Sequence, residues 1–379
     1  MTYLDYAASS PTDPEVLQAF QEACLRFPGN PNSSHRLGRQ AKDSIRESRA
    51  KIADLLGVME EEVIFTSGAT ESNNLAVKGQ ALRNRNWGNQ VLFTHLEHSS
   101  VTGPIQELSE AGFRTEPVSL LPDGRIDLSD LSRLAGDGLV LAAFSMVDAE
   151  LGVLQDTKSI SKILEKSPKC AFLCDVTQAV GKIPLDLSDV GLASLSCHKF
   201  GGLHGSGILV KKERVSISAQ ITGGASTTSF RSGTPAAGMA AACAFALEKS
   251  ISNVDANKMK VENLRSRLLA GLAKAGLVLN SSACSIGAIT NFSTGKIQAS
   301  DLAELLDDKG FLVSTKSACC PPNAMSRAVY AVTGDRRRSM NTIRVSLSHL
   351  SEEKDIDDFL HALSQCTSAL SSSGGRIKR

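Results

Sequence analysis

Apolar residues recur at helical spacing over 14–26 and 38–57, and the second run closes on Leu55-Leu56-Gly57, where glycine suits a helix stop. The period then changes. Residues 62–66 (EVIFT) read as a strand, Ser67-Gly68-Ala69-Thr70 as a turn of small residues, and 71–78 as a helix. The alternation repeats: 90–94 precedes a helix near 99–111, 139–144 precedes one near 157–166, and 171–175 leads into Gln178. Short strands follow at 192–196 and 207–210. Strands separated by helices predict an α/β architecture with a mostly parallel sheet covered on both faces. From about Val254 the character changes to a helix (254–274), a strand near 286–293, a helix at 300–307, a strand at 343–347 and a last helix at 351–370, which predicts a second, smaller α+β lobe.

The length, 379 residues, fits about two domains with a cleft between them. Lys and Arg number 41 against 40 Asp and Glu, a net charge of +1, so there is no electrostatic footprint for nucleic acid or an anionic membrane. The expected partner is a small molecule or a protein. No signal-like start and no apolar stretch of membrane length is visible, which gives the expectation of a soluble cytoplasmic protein. The nine cysteines are an odd number without a CxxC pair and suggest no disulfide framework, and His95-Leu-Glu-His98 does not match a helical zinc site, so no metal is expected.

Several segments could carry chemistry. Thr66-Ser-Gly-Ala-Thr70 sits where a strand hands over to a helix, with free N–H groups suited to a phosphate. Lys199 ends a strand beside the glycine-rich FGGLHGSG, where an amine can be desolvated into a nucleophile; a surface lysine is the plain alternative. Asp175 and Gln178 lie at a strand's carboxyl end, facing a crevice, or Asp175 simply caps a helix. His98 is the histidine placed to lie against a flat ligand. Cys319, in the polar STKSACCPP segment, reads as a reactive thiol helped by Lys316, or as an inert loop cysteine. Arg231 and Arg344 sit among small hydroxyl residues and suit phosphate or carboxylate.

Taken together and in this order, the segments resemble the pyridoxal 5′-phosphate (PLP) cysteine desulfurases of the class V aminotransferase group, which supply sulfur to iron-sulfur clusters and thio-modifications. The resemblance runs through Tyr3-Leu-Asp-Tyr-Ala-Ala, Gly29-Asn-Pro-Asn-Ser-Ser-His35, FTSGATESNN (65–74), Glu97-His98, Glu150-Leu-Gly-Val-Leu-Gln155, Asp175-Val-Thr-Gln178, Ser196-Cys-His-Lys199, RSGT (231–234), Ser317-Ala-Cys319 and Ile343-Arg344. It implies a fold type I PLP enzyme with a large domain at 15–254 and a small domain made of 1–14 and 255–379. By position it makes Lys199 the Schiff-base lysine, Asp175 the partner of the pyridine nitrogen, Gln178 the partner of the ring hydroxyl and His98 the stacking ring. Ala69, Thr70, Ser196 and His198 match the phosphate site, with Thr234 reaching it from a second subunit of a homodimer. Arg344 and Asn32 match the substrate carboxylate site. Cys319 matches the nucleophile that takes sulfur from L-cysteine as a persulfide, releases L-alanine and passes the sulfur to an acceptor protein. The 25 positions from Cys319 to Arg344 are similar to the group with a long mobile cysteine loop.

Three departures stand out. Ala149 replaces an asparagine usual before the Glu-x-Gly segment, with Asp148 as the candidate substitute; residues 223–229 lack the usual acidic residue and arginine; and Cys320-Pro-Pro follows the nucleophile, so that Cys320 could share the persulfide. These leave two rivals open: another PLP lyase, acting on selenocysteine or cysteine sulfinate without need of Cys319, or a PLP-binding scaffold with weak turnover. The absence of a dinucleotide fingerprint speaks against a nicotinamide enzyme.

Overall fold

The computed structural model describes residues 1–224, 228–316 and 324–372. The chain opens with a two-residue strand, β1 (Thr2–Tyr3), and a helix, α1 (Pro14–Arg26), which starts on Pro14 and on Asp13, whose side chain accepts from Glu15 N. Helix α2 (Arg36–Leu56) stops at Gly57, which takes φ +63°, a left-handed conformation open to glycine. Then come β2 (Val63–Thr66), α3 (Ala69–Arg83), β3 (Gln90–Phe93), α4 (Ser99–Glu110), β4 (Arg114–Pro117), α5 (Leu128–Leu134), β5 (Leu139–Ser145), α6 (Thr157–Leu164), β6 (Ala171–Asp175), β7 (Leu192–Ser196) and β8 (Gly207–Lys211). The remaining elements are α7 (Ala237–Ser252), α8 (Val254–Lys274), β9 (Val278–Leu279), β10 (Ile289–Ser293), α9 (Ala299–Asp308), β11 (Phe311–Leu312), α10 (Arg327–Thr333), α11 (Arg336–Met340), β12 (Thr342–Ser346) and α12 (Glu353–Ser372).

The principal sheet runs β2-β8-β7-β6-β5-β3-β4. From β7 to β4 every pairing is parallel, while β8 is antiparallel to both of its neighbours. The expected mostly parallel sheet therefore carries one inverted strand, because residues 197–206 return from β7 without a crossover helix. Strands β5, β6 and β7 are buried throughout. Along β6, Phe172 and Cys174 join the core on one face, and Ala171 and Leu173 join that on the other.

Some elements escape the apolar pattern. Helix α7 (AGMAAACAFALEKSIS) is small and apolar on nearly every side, so no face stands out. Strand β4 is a four-residue edge, exposed or half-buried throughout, and α5 spans only seven residues. The C-terminal part builds an antiparallel sheet, β12-β10-β9, and the N-terminal arm joins this part: β1 pairs with β11, and Asp5 bridges Ser346. Among the described residues no helix is long and apolar enough to cross a membrane.

At the carboxyl end of β7 two turns meet backbone to backbone. A methyl group on Gly207 would lie 2.5 Å from Gly68 Cα and 2.7 Å from Leu195 O, so only glycine lets the β2–α3 turn cross the start of β8. Gly207→Ala is expected to destabilise the protein by about 1–3 kcal/mol, read as a lower midpoint in guanidinium unfolding; an unchanged midpoint would show that these turns do not pack this closely.

Candidate active site

The carboxyl ends of β6 and β7, the β2–α3 turn and the start of α4 converge. Asp175, last in β6, is buried; its Oδ1 accepts from Thr177 N at 3.0 Å and its Oδ2 from Asn73 Nδ2 at 2.9 Å. Asn73, on α3 and fully buried, also donates to Ser100 Oγ at 2.9 Å. Ser100 Oγ lies 2.9 Å from His98 Nδ1, and Ser100 N donates to that same nitrogen at 3.1 Å. His98 thereby caps α4, and Nδ1, used as an acceptor, leaves the proton of the neutral ring on Nε2. Burial holds His98 below its ordinary pKa, helped by Lys199 and Arg327 and opposed by Asp175. Its ring is therefore neutral at pH 7, within the fields of both Asp175 and Lys199.

Lys199 closes a single 3-10 turn (Cys197–Lys199) directly after β7. Its Nζ donates to Ala7 O at 3.0 Å and Ala8 O at 2.7 Å, in the N-terminal arm. Gln178 is buried and donates from Nε2 to Ala7 O at 2.9 Å, so the two predicted residues share one acceptor. Next to Lys199, burial and the charges of Lys199, His204 and Lys182 push His198 down to about 4, and its buried Nε2 has no partner among the described residues. Lys199 borders a cavity of about 840 Å³, lined in part by Tyr6, Lys182, Phe200 and His349.

Arg344, on β12, is 1% exposed. Its guanidinium donates to Asp5 Oδ1 at 2.8 Å and to Ala149 O at 2.9 Å, and its buried Nε has no partner among the described residues. Asp148 does not replace the missing asparagine side chain. Its carboxylate instead accepts from the N–H groups of Glu150, Leu151 and Gly152 and closes its own turn.

Two further acids lie in this interior. Glu97 accepts from Thr94 Oγ1 at 2.7 Å and Ser145 Oγ at 2.6 Å, while Glu150 accepts from Ser326 Oγ at 2.5 Å. Burial pushes Glu97 up to about 8 in spite of its hydroxyl partners, with Asp175 and Asp148 adding to the rise. Burial and Glu150 push Asp148 up to about 7.

The residues present fit a PLP group. A carboxylate is fixed at one end of the crevice. At the other end the Gly68–Gly207 crossing, where added Cβ atoms would intrude, meets Ser196 Oγ and the start of α3 at Ala69 and Thr70. The orphaned His198 Nε2 is a buried polar atom that awaits a partner. The start of a 15-residue helix suits an anion. Among the described residues no group of acids, histidines and cysteines could hold a metal ion.

The remaining predicted residues lie elsewhere within one chain. Thr234 is exposed and lines a small cavity with Gly29, Asn30 and Pro31, and exposed Asn32 follows in that same turn, its N–H bound to Asn30 Oδ1. Arg231 pairs with Glu71 at 2.8 Å, next to the β2–α3 turn. Cys319 and Cys320 lie outside the described residues, as does part of the 223–229 segment. Sequence reasoning assigned no role to Asn73, Ser100, Asp5 or Lys182; Asn73 and Asp5 were visible only as members of quoted motifs.

The aminotransferase class-V family profile matches residues 2–359. A NifS/IcsS protein homolog of Lactobacillus delbrueckii subsp. bulgaricus is 32% identical over 373 residues, covering 96% of this chain and 97% of its own. The cysteine desulfurase IscS of Photorhabdus laumondii subsp. laumondii is 34% identical over 365 residues, covering 94% and 90%. A solved NifS-like protein superposes with a TM-score of 0.92 at 30% identity, covering 98% of this chain and 100% of its own.

The buried acids give a pH signature. A carboxyl raised from 4.5 to about 8 on folding stabilises most below pH 4.5, and that contribution is lost as pH rises toward 8. Relative to Glu97→Gln, the parent should therefore lose a few kcal/mol of unfolding free energy between pH 5 and 8, at about 1.4 kcal/mol per unit of displacement. His98 and Asp148 are present in both proteins and largely cancel. Denaturant unfolding of the pair across that range checks this; a constant difference would mean that Glu97 is ionised in the folded protein.

Proposed function

The chain belongs to the aminotransferase class-V family, and on that footing we propose that it is a PLP-dependent cysteine desulfurase, working as a cytoplasmic homodimer that takes sulfur from L-cysteine and hands it to an acceptor protein. The observation that carries the reading is the placement of Lys199 Nζ at the end of β7, beside Gln178 and across from the Asp175–Asn73–Ser100–His98 chain of hydrogen bonds. When bound, the coenzyme supplies an electron-accepting ring that weakens the bonds at the substrate's α-carbon.

The chain's own residues do the rest. Lys199 Nζ tethers the coenzyme and then carries the α-proton. Asp175, pinned by Asn73 and Thr177 N, would hold the protonated ring nitrogen, and Gln178 would donate to the ring hydroxyl. His98 offers a neutral face with its proton on Nε2. Ala69, Thr70, Ser196 and His198 would hold the phosphate, joined by Thr234 from the second subunit of the homodimer. Arg344, held by Asp5 and Ala149 O, takes the substrate carboxylate with Asn32.

Cys319 thiolate attacks the substrate sulfur. The new S–S bond forms as the C–S bond breaks, the electron pair goes to carbon, a proton follows, and L-alanine leaves. The sulfur stays as a persulfide for the acceptor.

Lys199→Ala should lose the visible absorption of the bound coenzyme. Arg344→Lys keeps the charge but not the fork and should raise KM for cysteine roughly 10–100-fold, the worth of one charge-assisted hydrogen bond. Cys319→Ser should retain the coenzyme yet form neither persulfide nor alanine, scored by mass spectrometry and amino-acid analysis after cysteine is added. Undiminished alanine release from Cys319→Ser would overturn the desulfurase reading in favour of another PLP lyase.

A further inference from the structure

Gln178 and Lys182 stand four residues apart in the turn after β6. Lys182 Nζ donates to Gln178 Oε1 at 3.1 Å, and Gln178 Nε2 donates to Ala7 O at 2.9 Å. Lys199 Nζ donates to the same Ala7 O at 3.0 Å. The string thus runs from Lys182 through the Gln178 amide to Ala7 O, where Lys199 joins it.

A side-chain amide has two orientations that exchange its oxygen and its NH₂. Only one suits this string. Flipped, the oxygen of Gln178 would face the oxygen of Ala7, and its NH₂ would face the amine of Lys182. Gln178 is 4% exposed, so water cannot readily replace a lost partner. Lys182 is half-buried at the cavity that Lys199 borders, and among the described residues it makes no ion pair. Its charged neighbours are Lys199 and Arg344; with burial they push it down to about 7. As an ammonium Lys182 can only donate, and Ala7 O can only accept, so both ends of the amide impose the same orientation; a neutral amine can also accept, and then Ala7 O alone imposes it.

We propose that Lys182 is a positioning residue, which fixes the amide of Gln178 so that an N–H rather than an oxygen faces Ala7 O, the acceptor it shares with Lys199, and the coenzyme oxygen beside it. The inference rests on the reading of the crevice as a PLP site. An oxygen in that place would repel the ring's phenolic oxygen, whereas an N–H stabilises it.

The test is a double-mutant cycle on the full chain, with Lys182→Met, Gln178→Met and both together, and with Lys182→Arg as the variant that keeps a donor. Two quantities are read: the dissociation constant of PLP from the reconstituted apoprotein, and the wavelength of its visible band. Lys182→Met should weaken retention roughly tenfold and shift the band as Gln178→Met does. In the Gln178→Met background it should add less than about twofold, because its effect passes through the amide. Lys182→Arg should restore most of both readouts.

Equal effects of Lys182→Met in the two backgrounds, or none in either, overturn the proposal. So does a Lys182→Met protein that fails to fold while Gln178→Met folds, since Lys182 would then serve the structure in another way. Failure of the parent chain itself to take up PLP would strike instead at the reading on which the proposal rests.

Discussion

The ion pair between Asp5 and Arg344, 2.8 Å long and sealed from solvent on the arginine side, ties the N-terminal arm to β12. Ser314 Oγ braces the other oxygen of Asp5 at 2.7 Å, and Ala149 O takes a second N–H of the guanidinium. Arm, small sheet and the turn after β5 are thereby locked at one point. Breaking such a pair by removing one partner costs about 3–5 kcal/mol, because the other charge stays buried. Two and three residues downstream of Asp5, the carbonyls of Ala7 and Ala8 receive Lys199, and that of Ala7 receives Gln178. The position of the Lys199 amine therefore depends on a charge pair more than 140 residues away from it in sequence.

Much of this could be read along the chain, and for a physical reason. Strands buried on both faces are unbroken apolar runs, and a polar residue that ends such a run, as Asp175 ends β6, must face the crevice at the sheet's carboxyl edge. Lys199 and Gln178 were legible in the same way. What stayed hidden depends on contacts between distant segments. Asn73 meets Asp175 across 102 positions, and Asp5 meets Arg344 across 339, so neither spacing carries a local signal. Helix α7 was hidden because it is apolar almost all round, and the inversion of β8 because it follows from a short return rather than from composition. Thr234 lines a small cavity with Gly29, Asn30 and Pro31, apart from the cavity that Lys199 lines, and no local pattern in the sequence marks that grouping.

The departures from the family pattern also gain a physical description. Ala149 forfeits a side-chain amide, yet its backbone carbonyl still holds Arg344. Asp148 is drawn inward to the N–H groups of its own turn, and burial favours its neutral form near neutrality. Glu97 is raised as well, so burial draws both acids toward their neutral forms. Asp175, by contrast, is held at the end of β6 by Asn73 and Thr177 N. Charge is thus concentrated at a few fixed points of an otherwise neutral interior, which is where electrostatic preorganisation is most effective.

The central claim is that the amine at position 199, and no other, carries the coenzyme. Treating the PLP-loaded protein with borohydride, which converts the lysine–coenzyme link into a stable bond, and then mapping its peptides tests this directly. A phosphopyridoxyl label confined to Lys199 is the predicted result. A label on Lys182, whose amine borders the same cavity, or no label at all, would contradict it.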